Sequence, residues 1–229
     1  MKDEKVYTYE EYSSSGKLIS TNEYVIRDGK SVQQGKFVNY NEKGIKIAEG
    51  NFLNNEPNGK SIYYFDNGKL ESIQYKKNSK IIEESTFYNT NGLIRKYIMY
   101  NDIGEPYFII SFDEKGVKEY NGTTIKEIYQ SKFSNKEQFF KIGDVLRYGY
   151  ILANIPNAKC NFKITNMNLD DLKVKRDIKH LPPTQIEVQE ILTKIGKNTI
   201  KAIVSYEFED KITPTINDTI SFEIYVNKK

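Results

Sequence analysis

The sequence YFDNGKL at residues 64–70 carries the pattern on which the fold of the first half of this chain depends. An aromatic residue is followed four positions later by a glycine, and an apolar residue comes within the next two positions. The same spacing recurs with a period of 24 residues, at Tyr40 and Gly44, Tyr64 and Gly68, Tyr88 and Gly92, and Phe112 and Gly116. A fixed period of this length indicates an array of repeated structural units.

Each unit contains two short β-favouring runs and two turn sequences. In the clearest unit, the run at 61–65 leads into Asp66-Asn67-Gly68, and the run at 70–75 leads away from it. Asn-Gly between two such runs predicts a hairpin with a type I′ turn, in which both central residues have positive φ. A second turn sequence midway through the unit, such as NNEPNG at 54–59, joins one hairpin to the next. The sequence therefore predicts an elongated antiparallel sheet of repeated β-hairpins.

The pattern Tyr-x-x-x-Gly-Lys-Leu at 64–70 resembles the bacterial variant of the MORN repeat, which also occurs in YwqK-type antitoxins. The resemblance extends over residues 10–120, about half of the chain. It implies a MORN-like sheet of hairpins and, through the antitoxins, an immunity protein that neutralises a cognate toxin. The pattern marks the repeat, whereas a function must be argued from a site.

Composition divides the chain into two parts of different construction. Eleven of the 14 glycines lie at or before residue 122, and 14 of the 18 tyrosines lie at or before residue 129. We therefore expect a repeat domain at 1–120, a linker at 121–137 with a short helical turn at 124–131, and a second domain at 138–229. An open repeat sheet also has two edges at which other strands can pair.

The second domain contains seven apolar runs separated by turn residues. They span 139–142, 145–153, 159–164, 172–178, 185–192, 199–208 and 219–226. This spacing is typical of β-sandwiches. The opening KIGD at 141–144 resembles the start of bacterial Ig-like modules. The predicted fold is all-β, a MORN-like repeat sheet followed by an Ig-like β-sandwich that lacks the disulfide and core Trp of antibody domains.

Composition also excludes several classes of function. The 34 basic and 31 acidic residues nearly balance, and nucleic-acid binding normally needs a concentrated basic face. No stretch approaches the roughly 18 apolar residues of a membrane span, so we expect no membrane insertion. Cys160 is the single cysteine, which excludes an internal disulfide and a cysteine-based metal site.

Sequence motifs for catalysis are missing. There is no zinc-type spacing, no nucleophile elbow and no glycine loop for phosphate. His180, the single histidine, precedes Leu181-Pro182 and is predicted to be a solvated loop side chain. We therefore predict a protein that is not an enzyme, with no catalytic residues, no metal and no cofactor.

The tyrosines outside the repeat phase are the candidate binding residues. The in-phase aromatics and glycines are interpreted as structural, because equivalent residues of neighbouring repeats stack in the core. Consecutive strand residues point to opposite faces, so Tyr63 must face away from Tyr64. Tyrosine is amphipathic and enriched at interfaces. The candidate partner-binding residues are Tyr63, Tyr75, Tyr97 and Tyr107.

These observations predict a non-enzymatic interaction module built on a repeat sheet. We expect a protein partner, with a glycan as the other candidate ligand and nucleic acid excluded. The alternative, which rests on the resemblance, is an immunity protein or antitoxin. A repeat sheet followed by an Ig-like module favours the cell envelope or an exported location over the cytoplasm, where an antitoxin would act.

Overall fold

The computed structural model describes residues 4–77, 81–128, 140–170, 173–182 and 184–228. The regular structure of these residues is β-strand, and no α-helix forms among them. Consequently no helix in the described part of the chain could cross a membrane. The chain divides into two compact units, residues 1–121 and 122–229.

The first unit is a single sheet of eleven strands among the described residues. They are β1 (Tyr7–Tyr12), β2 (Leu18–Arg27), β3 (Lys30–Tyr40), β4 (Lys46–Leu53), β5 (Glu56–Pro57), β6 (Gly59–Tyr64), β7 (Leu70–Lys77), β8 (Ile81–Tyr88), β9 (Ile94–Tyr100), β10 (Pro106–Asp113) and β11 (Gly116–Gly122). Their order in the sheet follows the chain, with the two-residue β5 placed beside β4. This arrangement confirms the predicted antiparallel sheet of hairpins.

The turn at Gly68 differs from the predicted type I′ turn. The Phe65 N–H donates to the Lys69 carbonyl (2.8 Å) and the Gly68 N–H to the Phe65 carbonyl (2.8 Å). Gly68 has a φ of +79°, whereas Asn67 is not among the residues with positive φ. This is a type I turn followed by a left-handed glycine at a bulge. Asn67 instead stabilises the turn by accepting the Lys69 N–H at Oδ1 (3.0 Å).

The same pair of main-chain hydrogen bonds closes the turns that end at Gly16, Gly44, Gly92 and Gly104. Gly116 does not end a turn of this kind. Only Glu114 and Lys115 separate β10 from β11, and Gly116 itself begins the strand. Phe112 and Gly116 keep the 24-residue spacing of the sequence but do not form this turn. Gly104, which lies midway between Gly92 and Gly116, does form it.

Type I′ geometry occurs at two of the connections between hairpins. Asn54 and Asn55 have φ of 53° and 67°, and Leu53 pairs with Glu56 across them. Asp28 and Gly29 likewise both have positive φ. Type I′ turns therefore form at these two connections and not at the Asn-Gly sequence for which they were predicted.

Neighbouring glycine turns are also hydrogen-bonded to one another. The donor and acceptor pairs are Lys17 Nζ to the Glu42 carbonyl (2.7 Å), Asn41 Nδ2 to the Asp66 carbonyl (3.4 Å) and Lys69 Nζ to the Thr90 carbonyl (3.0 Å). In each case the acceptor lies two residues before the glycine of the next turn. The repeat therefore fixes contacts between units as well as within them.

The second unit consists of two four-stranded sheets. The strands are β12 (Ile125–Ile128), β13 (Phe140–Lys141), β14 (Val145–Leu152), β15 (Ala158–Asn166), β16 (Lys175–Leu181), β17 (Gln185–Ile191), β18 (Gly196–Phe208) and β19 (Ile216–Asn227). The sheet orders are β12-β14-β17-β16 and β13-β19-β18-β15. With β12 and β14–β19 lettered A to G in sequence, these are the A-B-E-D and C-F-G sheets of an immunoglobulin-type sandwich. Short β13 lies parallel to β19.

All seven predicted apolar runs contain a strand, and β12 is an additional one. The predicted helical turn was wrong for residues 125–128, because they form β12 and pair with β14. The remainder of the predicted linker, 129–137, lies outside the described residues. His180 lies in β16 and not in the loop predicted for it.

A buried charged group joins the two sheets at one edge. Arg176 of β16 donates from Nε to Glu190 Oε2 (2.8 Å) and from Nη1 to the Ile164 carbonyl of β15 (2.9 Å). The Tyr148 hydroxyl donates to the same Glu190 oxygen (2.9 Å). Burial and the adjacent carboxylate raise the pKa of Tyr148, so its hydroxyl remains a proton donor.

Candidate functional site

Strand β1 forms an open edge of the first sheet. It pairs with β2 along one side, and the described residues place no strand along its other side. All six of its residues are exposed. Tyr9 and Tyr12 are each 55% exposed and Tyr7 is 37% exposed. Strand β1 thus combines an unpaired main-chain edge with accessible aromatic side chains.

Local sequence explains this strand. Tyr-Thr-Tyr at the start of β1 favours extended backbone, because β-branched and aromatic side chains pack well on a pleated surface. Tyr9 pairs with Asn22 of β2, and the register shifts between Glu11 and Tyr12. The Ser13–Gly16 turn then reverses the chain. The bulge before this turn is typical of a sheet edge.

The tyrosines of β1 are partly fixed by neighbours. Tyr7 stacks on Tyr24 with ring centroids 5.4 Å apart, and Lys5 Nζ lies 5.1 Å from the Tyr7 ring centroid. The Tyr12 hydroxyl donates to Glu10 Oε2 (2.6 Å), and this hydrogen bond is the main cause that raises the Tyr12 pKa. Tyr9 and Tyr12 are equally exposed, and Tyr9 is the one whose ring no contact among the described residues fixes.

The electrostatic character of this edge is acidic. Glu4 forms an ion pair with Arg27 at 2.7 Å, so its charge is compensated. Glu10 accepts from Tyr12, and Glu11 accepts from Ser20 Oγ (3.1 Å). Neither Glu10 nor Glu11 forms an ion pair within the described part of the chain. Strand β1 therefore presents two uncompensated carboxylates beside its tyrosines.

The four tyrosines predicted from the sequence do not share one surface. Tyr97 is fully buried and donates its hydroxyl to Glu84 Oε2 (2.9 Å). Its prediction as an exposed contact residue was wrong, because β9 lies inside the sheet and its ring packs against Phe108 with centroids 6.5 Å apart. Tyr107 of β10 is half-buried and also has a contact partner.

Tyr63 and Tyr75 lie on opposite faces. Tyr63 pairs with Ser72 of β7, whereas Tyr75 lies three positions further along β7 and so points the other way. Tyr63 is half-buried and accepts a hydrogen bond from Lys76 Nζ (2.7 Å). Tyr64 donates to Glu49 on the face opposite Tyr63, as the strand period requires. Tyr63 and Tyr64 are thus hydrogen-bonded within the sheet, and Tyr75 is half-buried.

The sequence contained a signal for β1 that the repeat pattern obscured. The segment YTYEEY at 7–12 precedes the regular 24-residue period. Tyr7 and Tyr9 lie outside the aromatic-to-glycine phase, which is the criterion that selected Tyr63 and Tyr75. Applying the same criterion to this segment would have identified β1 as an aromatic strand.

The described residues give little support for a metal site or for a reactive cysteine. No three of their His, Cys, Asp or Glu side chains cluster so as to hold a metal ion. Cys160 is exposed as a residue, but its thiol is partly buried, and this burial raises the thiol pKa. The thiol is therefore a weaker nucleophile than a fully solvated one.

No protein-family model matches this chain, and no curated protein matches it. Among solved structures, domains 4 and 5 of the S-layer protein SbsC are similar at 8% identity with a TM-score of 0.26, covering 97% of this chain and 98% of that chain. A structure of domains 1-6 gives 8% identity and a TM-score of 0.31, covering 99% of this chain and 35% of that chain. A crystal structure of the S-layer protein rSbsC(31-844) is 9% identical with a TM-score of 0.26, and the match covers 99% of this chain and 35% of that chain. This chain therefore spans about a third of the two longer neighbours.

Proposed function

We propose that the first unit is a non-enzymatic interaction module that binds an extended, basic segment of another protein along β1. The observation that carries this proposal is the exposure of all six β1 residues at an open sheet edge. Alternate residues of an edge strand direct their N–H and C=O groups away from the sheet, where an added strand can pair with them. Main-chain pairing supplies the geometry of the complex.

Aromatic side chains supply contact area at this edge. Tyr7 and Tyr9 are two residues apart and share one face of β1. An added strand would place its own side chains beside theirs, and aromatic cross-strand pairs contribute about 0.2–1 kcal/mol each. Tyrosine rings also lose little conformational entropy when they are covered. Tyr9 is the residue from which we expect the largest contribution.

Charge selects the kind of strand that binds. Glu10 and Glu11 face solvent without a cationic partner in the described chain. Lysine or arginine opposite these carboxylates is favourable, whereas two copies of β1 side by side would oppose like charges. The edge therefore resists pairing with itself and accepts a basic strand. Neutralisation of a toxin remains an alternative that rests on the repeat resemblance.

The test uses the full chain and two synthetic strand peptides. One peptide alternates lysine with threonine and valine, and the other replaces each lysine with glutamate. Titration calorimetry should show binding of the lysine peptide alone. Tyr9→Ser should weaken it about fivefold, which corresponds to about 1 kcal/mol. The matched control is Tyr120→Ser, because Tyr120 is 54% exposed on β11 at the other edge.

Three results would contradict the proposal. They are equal binding of the glutamate peptide, an equal loss in the Tyr120 variant, and no binding of the lysine peptide. If the full chain binds a glycan and neither peptide, the ligand of this surface is a carbohydrate instead. Circular dichroism of each variant establishes that the sheet is intact before binding is compared.

A further inference from the structure

The edges of the two sandwich sheets enclose a cleft in the second unit. Strand β15 ends one sheet and β16 ends the other. Arg176 ties them together at one end through the Ile164 carbonyl. Towards the other end, a cavity of about 550 Å³ opens between them. Its volume lies within the range of small-molecule sites, about 300–1,000 Å³.

The walls of this cleft are mainly apolar. Leu152 of β14, Phe162 of β15, Ile178 of β16 and Ile186 of β17 line it. Ile178 is 40% exposed, so part of this apolar wall faces solvent. The Phe162 ring contacts buried Tyr150 with centroids 5.6 Å apart, which fixes the floor of the cleft. A bound apolar group would remove this surface from water, which favours binding.

Polar groups at the cleft are few, and none is a carboxylate. Cys160 of β15 and His180 of β16 line it from opposite sheets, together with Asn154, Thr184 and Gln185. The Gln185 amide donates to Glu187 Oε1 (3.2 Å). Imidazole, amide and hydroxyl groups can each donate a hydrogen bond. The lining residues that the structure describes include no Asp or Glu. The cleft thus offers hydrogen-bond donors to a ligand, and no carboxylate is among its described lining residues.

We propose that this cleft binds a small amphipathic molecule with an apolar body and one hydrogen-bond-accepting head, of which a carboxylate is the best match. The apolar body lies between Phe162 and Ile178, and the head lies beside His180. This site is in the second unit and is independent of the peptide-binding edge. The probe ligand is decanoate, and decylamine is the matched cation of equal chain length.

Cys160 provides the readout, because it lines the cleft and is the single cysteine of the chain. Its rate of modification by a disulfide reagent is measured on the full chain, below the micelle concentration of each amphiphile. Decanoate should slow the reaction saturably, about fivefold when four fifths of the sites are occupied. Decylamine at the same concentration should leave the rate unchanged.

A pair of tryptophan substitutions separates the cleft from general surface binding. Ile178→Trp fills the cleft and should abolish protection by decanoate. Ile191→Trp is the matched control, because Ile191 is 41% exposed on β17 and is not part of the cleft. Protection by decylamine, protection that persists in the Ile178 variant, or no protection by decanoate would each overturn the proposal. Near-ultraviolet circular dichroism verifies that both variants keep native packing.

Discussion

Replacing the turn glycines with alanine tests the physical basis of the repeat sheet. Gly68 has φ +79° and Gly92 has φ +89°, in the left-handed region that side chains disfavour. A residue with a Cβ pays about 1–2 kcal/mol in this conformation. Alanine also lowers the entropy of the unfolded chain, which returns about 0.4–1 kcal/mol. We therefore expect each substitution to destabilise the first unit by about 1 kcal/mol.

The surroundings of the two glycines predict a difference between them. An added Cβ at Gly92 meets no atom within 4 Å, whereas one at Gly68 lies 3.2 Å from Ile45 Cγ2. Gly68→Ala should therefore cost a few tenths of a kcal/mol more than Gly92→Ala, because Ile45 must shift. The Gly92 variant isolates the cost of the backbone conformation.

Scanning calorimetry of the full chain measures these effects. A loss of about 1 kcal/mol should lower the unfolding temperature of the first unit by roughly 3–6 °C. Gly143→Ala is the control in the second unit, since Gly143 has φ +91° with open space around it. Gly143→Ala should shift the unfolding transition of the second unit and leave that of the first unit unchanged. Unchanged transitions in both the Gly68 and Gly92 variants would refute the role of left-handed glycine in these turns.

Three further substitutions test individual contacts. Arg176→Ala should destabilise the second unit by about 3 kcal/mol in urea unfolding, because Glu190 is left buried without its cation. Ser61→Ala should stabilise the first unit by about 1 kcal/mol in the same assay, since the fully buried hydroxyl has no hydrogen-bond partner among the residues that the structure describes. Hydrogen bonds from the Tyr64 hydroxyl and, to a smaller extent, from Lys46 lower the pKa of Glu49. The contribution of the Glu49 carboxylate to the stability of the first unit should therefore be complete above pH 4.5 and decline as the pH falls through the lowered pKa. Acid unfolding of Glu49→Gln should accordingly converge on that of the unchanged protein at low pH.

The fold followed from the sequence wherever local rules act at a fixed spacing. The Tyr64–Gly68 pattern predicts a reversal of the chain, and regular reversals produce a meander whatever the exact turn type. The turn type itself was missed because Asn-Gly suits both a type I′ turn and the last positions of a type I turn with a glycine bulge. Pairing across the turn decides between them, and Phe65 with Lys69 provides it here.

Site prediction failed where burial depends on distant strands. Tyr97 and Tyr63 were both selected because they lie outside the repeat phase, yet Tyr97 is fully buried and Tyr63 is half-buried. Arg176 follows Lys175 in the sequence, and no local pattern there indicates that Glu190 of the neighbouring strand holds it within the sandwich. Such partners are brought together by sheet order, which local periodicity does not determine. The cleft beside His180 likewise requires two strands from different sheets.

The chain-order pairing of the first sheet makes its length adjustable. Excising residues 65–88 would remove the Gly68 turn, β7, β8 and the residues that connect these two strands, and would join Tyr64 directly to Asn89. Because two strands are lost, β6 and β9 would still run in opposite directions, with Tyr64 taking the place of Tyr88 opposite Ile94. The Thr90 carbonyl would replace that of Asp66 as the acceptor for Asn41. Duplication of the same segment would lengthen the sheet by the same increment, so gene-level gain or loss of 24 codons can alter its size without rebuilding its interior.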